Sequence, residues 1–185
     1  MTPELEAAYS EPHRRYHTLA HVQACLDLLA RRADLDAAER RLLSWAIWFH
    51  DAIYDPRASD NEARSAELAL AQTPALGASP DDAAEVARLV RLTAGHEVAE
   101  GDRLGAVLVG IDLAILGAAG SAYDAYARAV REEYGFVPEE AWRRGRAAVL
   151  QRFLAAPVIY ADPELRMERE AQARANLVRE LSSLR

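Results

Sequence analysis

Apolar residues recur three and four positions apart along almost the whole chain, and no stretch shows the strict alternation of a half-buried strand. In residues 17–32, for example, Leu19, Val22, Leu26 and Leu29 follow one helical stripe. This periodicity predicts an all-α fold, a bundle of about seven to eight helices.

Proline, glycine and capping residues divide the periodic pattern into segments. The predicted helices cover residues 17–32, 36–55, 61–72, 79–95, 104–117, 121–134, 138–155 and 163 to the C-terminus. A length of 185 residues fits one domain, 1–185, in which helices from about 138 to 185 pack on the core. The charged C-terminal helix would pack on that core or on a second subunit. The sequence does not decide between a monomer and a homodimer.

Composition narrows the function classes. A net charge of -7 and a pI near 5.3 argue against general nucleic-acid binding or an anionic-membrane surface. There is no run of about eighteen apolar residues, so we expect a protein outside the membrane, in the cytoplasm. All 22 basic residues are arginine, which excludes a phosphate-loop lysine or a Schiff-base lysine.

A histidine and an aspartate, His50 and Asp51, end the apolar run WAIWFHDAIYD. An unpaired buried charge is too costly to persist, and a divalent cation would resolve that cost because imidazole and carboxylate are both good ligands. Alternatively, Asp51 caps a helix or pairs with an arginine while His50 fills core space. The pair alone does not decide between these readings.

Two further elements favour a metal site. His17 and His21 in YHTLAH are four residues apart, and a shared helix would place them on one face within about 6 Å. Asp112 interrupts the apolar segment GAVLVGIDLAILG, where helix propensity gives no reason for a polar residue. The alternatives are two half-exposed surface histidines and a buried aspartate paired with an arginine.

Along the chain, a histidine (His21), a His-Asp pair (His50-Asp51) and a later aspartate (Asp112) follow one another. In this order of residues the chain resembles the HD superfamily of metal-dependent phosphohydrolases, an all-α family. YHTLAH is also similar to the YHNxxH signature of cyclic nucleotide phosphodiesterases, with Thr18 in place of asparagine. This resemblance implies that His21 binds metal and His17 donates a proton. In another register of the family, His17 would be the ligand. DNEARSAE, DLAILG and RRGRAAVLQRFL are similar to bacterial proteins identified only as HD phosphohydrolases.

The resemblance implies attack of a metal-activated water on phosphorus. The cation would be held by His21, His50, Asp51 and Asp112, with His17 and Asp51 as the catalytic residues. Manganese, magnesium, iron, cobalt, nickel and zinc all suit such a ligand set. If Asp51 bridges to a second ion, the candidates for that ion or for the substrate are Glu62, His96 and Asp55. Glu62 and His96 also suit helix ends.

Arginine is the remaining means of gripping phosphate oxygens. The candidates are Arg14, Arg15, Arg143 and Arg146, and for most of them a solvated helix face is the alternative. The expected substrate is a small phosphorylated molecule, a nucleotide or another phosphate ester. The competing hypothesis is a regulatory module that binds metal or nucleotide without turnover.

Overall fold

The helical prediction is confirmed by the computed structural model, which describes residues 2–184 and in that range contains only helices, turns and loops. Two short 3₁₀ segments, Thr73–Leu76 and Leu113–Gly117, follow α4 and α6. The α-helices of the described range are α1 (Pro3–Ala8), α2 (Leu19–Arg31), α3 (Ala37–Phe49), α4 (Asn61–Gln72), α5 (Pro80–Leu92), α6 (Arg103–Asp112), α7 (Gly120–Glu133), α8 (Glu139–Ala155) and α9 (Pro163–Ser183).

Several helix boundaries differ from the sequence prediction. The short helix α1 was not predicted, and α2 begins at Leu19 because Thr18 has an extended backbone. The predicted helix 104–117 is α-helical only to Asp112 and then tightens into the 3₁₀ segment. His17 therefore precedes α2, and the expectation that it shares a helix face with His21 is wrong.

The chain divides into two compact units, with the boundary between Ile111 and Asp112. In the first unit α4 packs on α5, and α3 packs on α2, α4 and α5. The apolar second half of α3 predicts this central position, because a helix that is hydrophobic all round must be covered all round. Packing of residues 138–185 on the metal-binding core stays a prediction. The core of the first unit includes Val22, Leu43, Ile47, Phe49, Val86, Leu89 and Val90.

The central helix α3 starts at a capping box. The Asp36 carboxylate accepts hydrogen bonds from the backbone N–H groups of Ala38 and Glu39, and the Glu39 carboxylate accepts from the Asp36 N–H at 2.9 Å. These bonds satisfy donors that the first helical turn would otherwise leave unpaired. The start of α3 is thus held firmly, and its other end carries the His-Asp pair.

In the second unit α9 packs on α8 and on the 3₁₀ segment Leu113–Gly117. The buried Asn176 amide donates to the Leu116 carbonyl at 2.8 Å and to the Ala118 carbonyl at 2.9 Å. The Tyr160 hydroxyl donates to the Leu113 carbonyl at 3.1 Å. These bonds tie α9 and the loop before it to the 3₁₀ segment and to its C-cap, Ala118.

Among residues 2–184, no single helix combines the length and apolarity needed to cross a membrane. Only a bent pair, Arg103–Gly117 with Gly120–Glu133, meets those criteria, on length and composition alone.

Candidate metal centre

The His-Asp pair lies where α3 ends. His50 still has helical backbone angles, and its N–H donates to the Ala46 carbonyl at 2.9 Å. Its ring Nδ1 lies 2.8 Å from the Ile47 carbonyl and must donate, because a carbonyl can only accept. In its neutral form, the ring would therefore present a lone pair at Nε2. Fixing one ring nitrogen through a carbonyl is how metal-binding histidines are commonly oriented.

The third residue of α2, His21, faces this lone pair. Its Nε2 lies 3.1 Å from His50 Nε2, and both rings are buried. Asp51 Oδ2 lies 3.0 Å from His50 Nε2 and 3.8 Å from His21 Nε2. Two ring nitrogens and one carboxylate oxygen thus converge on one point, and the three residues form a group that could hold a metal ion.

The spacing of these atoms fits a transition-metal or magnesium ion. At a metal–ligand distance of about 2.1 Å, neighbouring ligand atoms lie about 3.0 Å apart in octahedral and about 3.4 Å apart in tetrahedral coordination. The observed separations of 3.0 and 3.1 Å lie in this range, and the third, 3.8 Å between His21 Nε2 and Asp51 Oδ2, is wider. A mixed imidazole and carboxylate set suits the divalent ions of the first transition row. Three of the four predicted ligands, His21, His50 and Asp51, are brought together by elements of the first unit.

The turn that carries Asp51 is held by Arg14. Its guanidinium donates to the Asp51 carbonyl at 2.8 Å, to the Ala52 carbonyl at 3.2 Å and to the His17 carbonyl at 3.0 Å. Its Nε donates to the Glu11 carboxylate at 3.0 Å, and the side chain is fully buried. This geometry corrects the expectation that Arg14 binds phosphate, because its donors already serve backbone carbonyls of the site.

A buried tyrosine supports the same turn and was not singled out from the sequence. The Tyr9 hydroxyl donates to the Trp48 carbonyl at 3.0 Å, and Arg14 lies over the Tyr9 ring. Burial, and next the negative charge of Asp51, raise the pKa of Tyr9 well above its ordinary value. Tyr9 therefore stays neutral and keeps its hydrogen bond. Because Tyr9 directly follows α1, a helix that was not predicted, no sequence pattern pointed to this role.

Helix α4 clamps the loop after the His-Asp pair. Ser65, fully buried, accepts from the Ile53 N–H at 3.0 Å. Asn61 accepts from the Asp55 N–H at 3.0 Å and donates back to the Asp55 carbonyl at 2.9 Å. The Asp55 carboxylate accepts from the N–H of Arg57 in its own loop. Asn61 and Ser65 thus hold the loop that follows Asp51, and Asp55 turns its side chain into that loop.

His17 lies beside the cluster rather than in it. Its ring stacks on Tyr54 with centroids 4.2 Å apart, and its centroid is 6.2 Å from that of His21. Tyr54 is held in turn by His13, whose Nε2 donates to the Tyr54 carbonyl at 2.7 Å. Of the two registers left open by YHTLAH, the structure brings His21 to His50 and Asp51. The half-buried His17 is left next to the ligand atoms.

The remaining candidates for metal binding are Glu62, His96 and Asp112. Glu62 is half-buried in the first turn of α4, where a negative charge interacts favourably with the helix N-terminus. His96 has φ of 57° just after α5, and its N–H donates to the Leu92 carbonyl at 2.8 Å. Asp112 is the half-buried last residue of α6 and falls in the second unit. The three-residue cluster does not include any of them, and Asp112 as fourth ligand stays a prediction.

The other arginine candidates are paired within the protein. Arg15 donates to the Pro12 and Arg14 carbonyls, and Arg143 donates to Glu139 at 2.8 Å. Both remain exposed, which agrees with the alternative of a solvated face.

Arg146, by contrast, is buried in the second unit and binds Glu180 through two hydrogen bonds of 2.7 and 3.0 Å. The same carboxylate accepts from the Tyr123 hydroxyl. Burial opposes the charge of Arg146, but Tyr126 and Glu180 outweigh it, so its pKa is raised. A paired guanidinium of this kind is structural, which corrects the phosphate-binding expectation for Arg146.

A single cysteine touches the cluster. Cys25 lies one turn after His21 on α2, buried, with its Sγ 3.8 Å from His21 Nε2. A buried free cysteine behaves as a small apolar residue. Its sulfur packs against the His21 ring and limits how that ring can turn.

Comparisons of the chain with family models, curated protein sequences and solved structures find no match.

Proposed function

We propose that this protein is a metal-dependent phosphohydrolase of the HD type. The observation that carries the proposal is the convergence of His21, His50 and Asp51 on one point. The sequence order of histidine, His-Asp and aspartate, read with the YHxxxH segment, supports the reaction class. A divalent ion is the proposed cofactor, and metal analysis of the purified chain would identify which of the six candidate metals is bound.

The bound ion would supply a water of lowered pKa and would polarise a phosphoryl oxygen. His21, His50 and Asp51 would hold it, with Asp112 as the proposed fourth ligand. His50 is suited to this role because its Nδ1–H is taken up by the Ile47 carbonyl. Asp51 is suited because Arg14 fixes its backbone through a hydrogen bond to the Asp51 carbonyl.

His17 is the proposed proton donor to the leaving oxygen. It is half-exposed, lies beside His21 and is stacked on Tyr54, so it can meet a substrate without occupying a ligand position. General acid catalysis needs a group within hydrogen-bond reach of the leaving atom and typically contributes 10²–10⁴-fold. The proposed substrate is a small phosphate ester or anhydride, with nucleotides the first class to test.

The test is hydrolysis by the full chain, freed of metal and then reloaded with each candidate ion in turn. A panel of nucleoside mono-, di- and triphosphates, cyclic nucleotides and p-nitrophenyl phosphate gives a direct readout of released product. We expect hydrolysis that requires the ion and is lost in His21→Ala. His17→Ala should keep the metal but lower kcat by about 10²-fold.

Two results would contradict parts of the proposal. If the chain retains stoichiometric metal but hydrolyses nothing under any ion, it is a binding module rather than an enzyme. If His17→Ala loses metal while His21→Ala keeps it, the roles of these two histidines are reversed.

A further inference from the structure

The C-terminal helix α9 exposes an apolar stripe on the side opposite its buried residues. Met167 and Val178 are 83% and 52% exposed, the two most exposed large apolar side chains of the described chain. They are eleven residues apart, which is three turns to within about 20°. Ala171 and Ala175 lie between them and are exposed as well. We call these four residues the α9 outer face.

The buried side of α9 packs within the protein, so the outer face is the side of the helix that another molecule could contact. Ala173, Asn176 and Leu177 are fully buried and point away from the outer face on the helical wheel. A solvent-facing helix surface ordinarily carries polar residues. A stripe about 17 Å long with methionine and valine at its ends and alanines between them departs from that expectation.

The charges beside the stripe indicate the partner. Glu168 and Arg179 are exposed, lie on the same flank and are also eleven residues apart. Arg179 donates to Asp124 at 2.6 Å, to Asn176 at 3.1 Å and to the Gly120 carbonyl at 3.4 Å, and its side chain is 48% exposed, so a second carboxylate can approach its guanidinium. The midpoints of Met167–Val178, Ala171–Ala175 and Glu168–Arg179 all fall within one residue of Ala173. A helix with this arrangement is complementary to itself when reversed.

We propose that α9 pairs with α9 of a second copy of this chain in antiparallel orientation. Met167 then packs on the partner's Val178, Ala171 lies against the partner's Ala175, and Glu168 meets the partner's Arg179. The twofold axis repeats each contact. The alanines let the two helices approach closely. A parallel pair would instead set Glu168 against the partner's Glu168, so the charges select the antiparallel form.

The small size of the α9 outer face predicts a weak self-association. One helical stripe buries well below the roughly 800 Å² per partner of a standard stable interface. Association in the range of about 10 μM to 1 mM is therefore expected, with rapid exchange. This inference does not depend on the proposed function, because α9 holds none of the cluster residues.

Sedimentation velocity of the full chain from micromolar to millimolar concentration tests the pairing. We expect a monomer–dimer equilibrium that Met167→Glu weakens at least about tenfold. Leu70→Glu is the matched control, since Leu70 is 45% exposed on α4 and receives the same charge. A wild-type chain that stays monomeric at millimolar concentration overturns the proposal, as does equal weakening by both variants.

A charge exchange tests the orientation. Glu168→Arg and Arg179→Glu should each weaken self-association, because each places like charges together twice. A mixture of the two variants should restore it, because the mixed pair has two opposite-charge contacts. No restoration in the mixture, with both variants folded by circular dichroism, overturns the antiparallel arrangement.

A cross-linking experiment gives an independent readout. The native cysteine is buried, so an engineered surface cysteine is the accessible thiol. The double variant Glu164→Cys, Ser182→Cys should form covalent dimers on mild oxidation, because these positions oppose each other across the antiparallel pair. Glu164→Cys alone should not, since its two copies would be about 28 Å apart. Ready dimerisation of the single variant would contradict the proposed orientation.

Discussion

At the scale of single residues, the candidate centre depends on how each ring is oriented. His50 is oriented by the Ile47 carbonyl, and His21 is confined by the Cys25 sulfur on the same helix. A ligand set whose members are held before the ion arrives loses less conformational entropy when it binds. Such support raises affinity without adding any ligand.

Asp51→Ala should abolish metal retention while the chain stays folded. The variant removes a carboxylate that lies within 4 Å of both cluster nitrogens. Metal content after gel filtration, measured by plasma mass spectrometry, is the readout. Asp55→Ala is the matched control, since it changes a nearby loop aspartate outside the cluster, and it should keep the metal. Equal metal content in both variants would remove the proposed centre. The same measurement on Asp112→Ala tests the fourth ligand.

Arg14→Ala should lower the free energy of unfolding by about 3 kcal/mol. The change leaves three site carbonyls without their charged donor, and buried unsatisfied acceptors are costly. Arg15→Ala, at the exposed neighbouring arginine, should change stability by no more than about 0.5 kcal/mol. Urea unfolding followed by circular dichroism compares the two. Similar losses for both would show that the Arg14 contacts are not what stabilises the turn.

Arg14 also illustrates what sequence reasoning could not supply. Arginine is rarely buried, so its place beside His13 and Arg15 favours a surface role. Its actual role depends on carbonyls that come 37 and 38 residues later in the chain. Hydrogen bonds to backbone carbonyls leave no residue pattern, because any residue type presents a carbonyl. His50 and Asp51 were predictable because charge at the end of an apolar helix is itself unusual.

At the scale of secondary-structure elements, α4 positions the site through two side chains that bond the loop after the His-Asp pair. Asn61 and Ser65 lie four residues apart on the same face of α4 and bond residues 53 and 55. The loop that follows the His-Asp pair is thereby fixed to a helix of the first unit. Asn61 stands in DNEARS, a segment that the sequence alone suggested for metal, substrate or capping.

Asn61→Ala should destabilise the chain by about 1–2 kcal/mol and weaken metal binding without removing a ligand. The loss arises because the Asp55 backbone N–H and carbonyl lose their partner together. Arg64→Ala, an exposed residue on the same helix, is the control and should change neither quantity. Metal titration of both variants and urea unfolding provide the two measurements. Unchanged metal affinity in Asn61→Ala would limit α4 to a stabilising role.

The starts of α3 and α5, which have capping boxes, were predicted well, and the start of α2, which has no side-chain cap, was not. Asp36 and Ser79 each open a capping box at the expected position. Thr18 makes no capping bond through its side chain, and the stripe around it extends past the true start of α2. Periodicity therefore located the helices, while the exact boundary depended on local backbone bonds. The misplaced start matters because it put His17 on α2, which in the structure begins two residues later.

At the scale of the whole molecule, acid stability includes a contribution from Asp34. Hydrogen bonding to Arg32 is the main cause that lowers the pKa of Asp34 from 3.8 to about 2, and Arg103 adds to it. A carboxyl whose pKa is depressed by folding stabilises the native state above its unfolded pKa. That contribution is lost as pH falls from about 4 through about 2.

Asp34→Asn should therefore reduce stability at neutral pH and flatten the decline between about pH 4 and pH 2. The Asp34 side chain is 43% exposed, so the effect should be small and should shrink in high salt. Thermal unfolding of both chains across this pH range is the measurement. Parallel curves for wild type and variant would show that Asp34 does not titrate with folding.

The all-α class followed from periodicity alone, but the division into two units did not. Its boundary lies within α6, between Ile111 and Asp112, where the chain continues helical and apolar. Sequence boundaries are read from linkers rich in glycine, proline or polar residues, and none marks this place.

The separation of His21 and His50 in the chain has a consequence for folding. They are 29 residues apart, so an ion bound by both would close a loop that contains most of α2 and all of α3. In chain-entropy terms, a covalent tie around a loop of that length stabilises a protein by about 3–4 kcal/mol. A bound ion would act as a removable cross-link of the same topology, and the metal supply would then determine how firmly this helical hairpin is closed.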